Sequence, residues 1–212
     1  MKPAGEAPAP RAQTGSPNAA DGGANMVRTV WRSLQWWPTL VGIGFATFVA
    51  LDMFRGTERG SELASIVAAS GLVYLAAAAL EKPSTAWLVF FMSVVVITAA
   101  KLGLTGFDAT WVLLGLAALF AGYGLLRGAT RPAGGLPLQT IAMIGFGAVA
   151  AIALYVNEVA GAYLVAAGLF AHAGWDVYHH WANKVVTRSL AEFCFVLDVL
   201  LAVAIVIVTM RG

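Results

Sequence analysis

Apolar residues run along this chain in seven long blocks, each separated from the next by a short polar or glycine-rich break. The blocks lie at about 37–54, 63–80, 86–104, 109–126, 137–156, 160–178 and 189–210. Each approaches the roughly 20 residues, with a lower limit near 17, that a helix needs to cross the hydrocarbon core of a bilayer. The breaks carry turn residues and charge: Arg55 through Gly60, Glu81 through Ser84, Thr105 through Asp108, Arg127 through Gly135, Asn157-Glu158, and His179 through Arg188. A helix inside a soluble bundle keeps a polar face at a 3.6-residue period, whereas these blocks are apolar all round. The pattern predicts an all-α fold: a polytopic transmembrane bundle of seven helices within residues 27–212. Residues 1–26, rich in Ala, Pro, Gly, Ser and Asn and without an apolar signal core, read as a disordered cytoplasmic tail. Met26 is an alternative start that would remove that tail.

Composition agrees with the pattern. Hydrophobic residues make up 59% of the 212 and charged residues only 11%, against about 25% charged in soluble domains. That excludes a water-soluble fold and places the lipid bilayer among the partners. A formal charge of +2 with no basic stripe gives nucleic acid no footprint. Cys194 is the single cysteine, so neither an intramolecular disulfide nor a cysteine zinc cage can form.

Lysine and arginine set the expected orientation. Nine of the 13 fall on the side of the N-terminus (Lys2, Arg11, Arg28, Arg32, Lys82, Arg127, Arg131, Lys184 and Arg188) and four on the other (Arg55, Arg59, Lys101 and Arg211). The positive-inside rule then puts the N-terminus in the cytoplasm and the C-terminus outside, as for a multipass protein of a bacterial inner (plasma) membrane. All seven tryptophans, at 31, 36, 37, 87, 111, 175 and 181, fall near predicted helix ends, where indole rings sit at the headgroup level. Glycine and alanine crowd several blocks and allow close helix contacts. Similar segments beginning at Gly71, Ala118 and Gly168 recur about 47–50 residues apart, either a triplicated hairpin or an accident of composition.

The last two blocks differ from the others. All three histidines lie within nine residues of one another. His172, Asp176, His179 and His180 fall at i, i+4, i+7 and i+8, one face of helix six. Helix seven offers Cys194 and Asp198 at i, i+4, with Arg188 and Glu192 as a second such pair. Ionisable groups inside a bilayer cost several kcal/mol, so each marks a function or a satisfied partner. Imidazoles with carboxylates suit a divalent metal such as Zn, Mn or Fe. On that reading the candidate metal ligands are His172, Asp176, His179 and His180, and the candidate catalytic residues are Asp198 and Glu192, acting on metal-bound water. The same residues can instead exchange protons along a transport path. The bland alternatives are an interfacial belt at Tyr178 through Trp181, a surface ion pair of Arg188 with Glu192, and a buried His172–Asp198 hydrogen bond without chemistry.

The block Trp175-Asp176-x-Tyr178-His179-His180, followed by Val185-Val186-x-Arg188-Ser189-x-Ala191-Glu192-Phe193-Cys194 and Asp198, resembles a family of uncharacterised bacterial multipass membrane proteins. The likeness covers about the last forty residues, implies the multipass architecture and supplies no activity. Asp198 resembles the counterion position of microbial rhodopsins, but Ala202 stands where a Schiff-base lysine four residues on would be needed, so no retinal is expected. No haem is expected either, because bis-histidine ligation needs histidines on facing helices. Ceramidase-like and progestin-receptor-like hydrolases spread zinc histidines over early and late helices; here helices one to five have none. The leading expectation is a polar site between helices six and seven on the cytoplasmic side, a membrane-embedded, metal-dependent enzyme for a lipid-like substrate. Proton-coupled transport of a small solute and a non-catalytic scaffold subunit, with homo-oligomerisation open, are the alternatives.

Overall fold

A computed structural model describes residues 36–56, 59–104, 106–131 and 135–211. The expected tail at 1–26, and with it Arg28, Trp31 and Arg32, lies outside the described residues. The bundle is the unit Pro38–Gly212; of the preceding unit only Trp36 and Trp37 are described.

Among the described residues seven α-helices follow one another: α1 Trp37–Phe54, α2 Ala64–Ala79, α3 Thr85–Lys101, α4 Ala109–Leu126, α5 Leu136–Ala153, α6 Glu158–Ala182 and α7 Arg188–Arg211. A 3-10 turn, Gly60–Leu63, leads into α2. No strand occurs among the described residues. Local chemistry sets the ends. The Asp108 carboxylate accepts from Thr110 N at 2.8 Å to start α4, and the Asn157 side chain accepts from Ala160 N at 2.9 Å to start α6. Gly103 and Gly128, both at positive φ, follow the last turns of α3 and α4. There Leu104 N reaches back to Ala99 O, and Ala129 N to Gly124 O, which is the glycine-terminated helix stop.

Contacts between elements define two ends of an up-and-down bundle. At one end Thr39 bonds to Glu192 and Trp87 bonds to Ser189, joining the starts of α1 and α3 to the start of α7. At the other end Gly60 lies against Ala162 and Ile205, and Gly161 against Ser61 and the carbonyl of Ala153. The first is called below the α7-start end and the second the α7-finish end.

Helix α2 is the axis. Every residue from Ala64 to Ala79 except Ile66 is buried, and α3, α4, α5 and α6 pack around it. The segment Gly60–Ala79 is 89% buried, whereas the four other long apolar segments range from 28% to 44%. Its run of Ala, Ser and Gly explains the position, because small side chains let several helix backbones approach one axis. The outer faces of the surrounding helices expose large apolar residues, including Leu40, Phe48, Phe91, Val95, Leu119 and Ile141. A lipid-facing perimeter accounts for such a surface; a water-facing one does not.

Among the described residues five segments are long and apolar enough to cross a membrane: Trp37–Phe54, Gly60–Ala79, Ala109–Leu126, Leu136–Ala153 and Arg188–Arg211. A helical bundle in a bilayer fits these. The two helices outside that set differ for different reasons. Helix α3 is apolar but has 17 residues. Helix α6 has 25 residues but carries the three histidines and Asp176, whose polarity interrupts its apolar character. It also runs four residues past its expected end, to Ala182, so His179 and His180 belong to its last turn.

Helices α6 and α7 form the most extensive pairing in the bundle. Their connection is strained. Asn183 is left-handed, at φ 49°, and so is Val185, at φ 71°. Val186 N donates to Lys184 O at 2.8 Å, closing a γ-turn of the rare positive-φ hand around a β-branched residue.

Candidate metal centre between α2, α6 and α7

The 3.6-residue repeat stacks His172 and Asp176 one turn apart on α6. Antiparallel pairing brings Asp198 of α7 opposite them. His172 Nδ1 lies 2.8 Å from Asp198 Oδ2 and 3.3 Å from Asp176 Oδ2. From the axis, the Tyr74 hydroxyl donates to Asp176 Oδ1 at 2.6 Å. The four side chains are sealed, at 0% exposure for His172 and Asp176 and 1% for Asp198 and Tyr74. One donor atom from each of His172, Asp176 and Asp198 lies within 4.8 Å of the other two.

The hydrogen bonds leave atoms over. Asp198 Oδ1 and His172 Nε2 are buried without a hydrogen-bond partner, and Asp176 Oδ2 has only the 3.3 Å approach of His172 Nδ1. The rings of Tyr74 and Phe146 stand edge-on to the imidazole, with centroids at 5.3 and 5.0 Å, and enclose it in hydrocarbon. Two ionised carboxylates beside a neutral imidazole would carry two negative charges, which a medium of low dielectric does not tolerate; protons on the cluster, or a divalent cation, offset them. Bonds of about 2.0–2.2 Å at tetrahedral or octahedral angles put ligand atoms roughly 3.0–3.5 Å apart; the 3.3 Å from His172 to Asp176 falls in that range, whereas the 2.8 Å to Asp198 is a hydrogen-bond distance.

A second network lies beside the first, one turn nearer the α7-start end. His179 Nδ1 is 2.9 Å from the Trp175 carbonyl oxygen, and its Nε2 is 2.9 Å from Gln139 Nε2. Trp175 Nε1 donates to Gln139 Oε1 at 3.2 Å. One tautomer satisfies all three contacts: Nδ1–H donates to the carbonyl, and Nε2 accepts from the Gln139 amide. Both ring nitrogens of His179 are therefore engaged away from the triad. Trp175, expected in an interfacial belt, instead turns inward to meet Gln139, because the twenty-five-residue α6 carries it below the helix end. Tyr178 and Trp181 stay on the outside, 51% and 80% exposed.

The structure thus brings His172, Asp176 and Asp198 together and does not bring His179, His180 or Glu192 to them as donors. His180 Nδ1 lies 3.3 Å from the Arg188 carbonyl oxygen across the connection, and the Thr39 hydroxyl donates to Glu192. His180 and Glu192 nevertheless share a cleft of about 200 Å³ with Asp176, Trp181 and Phe195. Of the triad, Asp176 alone borders this cleft, which lies toward the α7-start end. Cys194 is buried on α7, one helical turn before Asp198. Tyr74, Gln139 and Phe146 were missed from the sequence. The signal for the first two was present: a tyrosine or glutamine inside an apolar span must find a hydrogen-bond partner. Their partners lay more than 30 positions away and could not be read from spacing.

The chain matches no known family, no curated protein and no solved structure.

Proposed function

We propose that this protein is a seven-helix integral membrane protein, N-terminus in the cytoplasm and C-terminus outside, that holds a divalent cation through His172, Asp176 and Asp198 as a membrane-embedded enzyme for a lipid-like substrate. The observation that carries the reading is the sealed triad, two carboxylates converging on one imidazole nitrogen. An N,O,O donor set suits Zn, Mn or Fe, and a cation held by three protein ligands keeps positions for water or substrate. Among the described residues Lys82, Arg127, Arg131, Lys184 and Arg188 lie at the α7-start end and Arg55, Arg59, Lys101 and Arg211 at the other, an excess that supports the α7-start end as cytoplasmic and makes the cleft at His180 and Glu192 the cytoplasmic approach. Glu192, on the cleft wall, is the candidate general base toward metal-bound water.

The test is metal content of detergent-purified protein by mass spectrometry, wild type beside His172→Ala, Asp176→Asn and Asp198→Asn. About one metal per chain, lost in all three variants while each still runs as a folded species, is the expected result. Wild type free of metal after purification without chelators would overturn the reading.

Proton-coupled transport is the second reading. It is favoured by the position of the triad between the Glu192 cleft and a separate apolar cavity that reaches Cys194 from the opposite end. Solute flux driven by a proton gradient, and abolished by Asp198→Asn, would support it.

A further inference from the structure

The cleft beside the triad has a charge pattern of its own. Asp176, His180 and Trp181, near the end of α6, face Glu192 and Phe195, near the start of α7, across about 200 Å³. Among the described residues no lysine or arginine lines it; Lys184 and Arg188 are exposed outside it. The end of α6 and the start of α7 bring opposite dipole ends to the same place, so the side chains set the sign.

Every ionisable side chain on the walls has an acceptor to offer. A carbonyl only accepts, so the 3.3 Å contact of His180 Nδ1 with the Arg188 carbonyl puts the proton on Nδ1 and leaves Nε2 a lone pair. Glu192 takes one hydroxyl, from Thr39, and Asp176 takes one, from Tyr74. Asp176 is fully buried, and its Oδ2 has no hydrogen-bond partner. Two carboxylates and an imidazole without a lining cation are complementary to a positive occupant.

A bare metal ion does not match the spacing. Among the described residues only His172, Asp176 and Asp198 bring one donor atom each within 4.8 Å of one another. Asp176, His180 and Glu192 therefore stand too far apart for bonds of about 2.0–2.2 Å to one ion. A cation with a broad alkyl surface fits better, and the walls of Trp181 and Phe195 supply the aromatic surface that recognises one. The volume is below the roughly 300 Å³ of the smallest small-molecule sites, room for a head group and not for a whole lipid.

We propose that this cleft binds a quaternary ammonium group of the choline type, held by the carboxylates of Glu192 and Asp176 between Trp181 and Phe195. Carried on a lipid, that group names the head of the lipid-like substrate, and the inference rests on the functional reading above only for that assignment.

Radiolabelled choline, bound to the full-length protein in detergent, tests this. Saturable binding is expected, displaced by tetramethylammonium and not by 3,3-dimethylbutan-1-ol, which has the shape of choline without its charge. Glu192→Gln keeps an acceptor for Thr39 and should weaken binding about tenfold, as loss of one favourable charge contact does. Trp181→Ala alters an exposed side chain and should weaken it about two- to fivefold. Asp198→Asn does not touch the cleft lining and should bind like wild type, which separates failure of this site from failure of the metal reading. Displacement by lysophosphatidylcholine at lower concentration than by choline supports a lipid head, and the reverse order supports a soluble ammonium solute. No saturable binding, equal displacement by the neutral isostere, or unchanged binding in Glu192→Gln would overturn the proposal.

Discussion

At the scale of single residues, the hydroxyl of Tyr74 decides how Asp176 is presented. It donates to Asp176 Oδ1, and groups that orient a ligating carboxylate are worth about ten- to a hundredfold in metal affinity. Tyr74→Phe should keep the fold and weaken metal binding in that range, as read by titration with a competing chelator. It should also lower thermal stability, because a buried oxygen without a donor costs about 1–3 kcal/mol. Gln139 separates the two networks. Gln139→Leu removes the acceptor of Trp175 Nε1–H and the donor to His179 Nε2, so it should destabilise by about 1–3 kcal/mol. Metal content should stay at the wild-type level. Loss of metal in Gln139→Leu would mean that His179 belongs to the centre.

At the scale of elements, close approach matters more than glycine count. A Cβ on Gly161 would sit 2.8 Å from the backbone oxygen of Ala153, whereas one on Gly145 would meet nothing within 4 Å. Gly161→Ala should therefore destabilise the α5–α6 contact by about 1–3 kcal/mol, the range for overpacking. Gly145→Ala should be neutral or stabilise by up to about 1 kcal/mol through helix propensity. Thermal unfolding of the pair in one detergent checks the contrast. The α6–α7 connection offers a second one. Positive φ at Val185 stores strain of order 1–3 kcal/mol, which glycine would release. Val185→Gly should leave stability unchanged or higher, although the side chain is half-buried. The neighbouring Val186→Gly, at a buried position, should lose on the order of 2–3 kcal/mol.

At the scale of the whole molecule, the proposed orientation and the proposed metal make linked predictions. A reporter active only outside the cytoplasm should be active when fused after Arg211 and inactive when inserted at Lys184. The reverse pattern would invert the bundle and put the Glu192 cleft outside. Chelation should lower the unfolding temperature of wild type and leave Asp198→Asn unmoved, because a ligand bound only by the folded state stabilises it by mass action.

The seven helices and their breaks were legible in the sequence because they follow from local physics. Apolar run length and the polar breaks act within a few residues of themselves, whereas the stop at Gly103 fell inside the expected block 86–104, and α3 ends at Lys101. The pairing of α6 with α7, and the stacking of His172 on Asp176, also follow from helical periodicity and a short connection. Which helix would be the axis did not follow, since every block is apolar and only packing in three dimensions shows that the small residues of Ala64–Ala79 attract four neighbours. Nor did the division of the histidines. His172 faces two carboxylates and His179 faces Gln139 because α2 and α5 bring Tyr74 and Gln139 to those places. Hydrogen bonds between residues 40 and 102 positions apart are written in the tertiary structure alone.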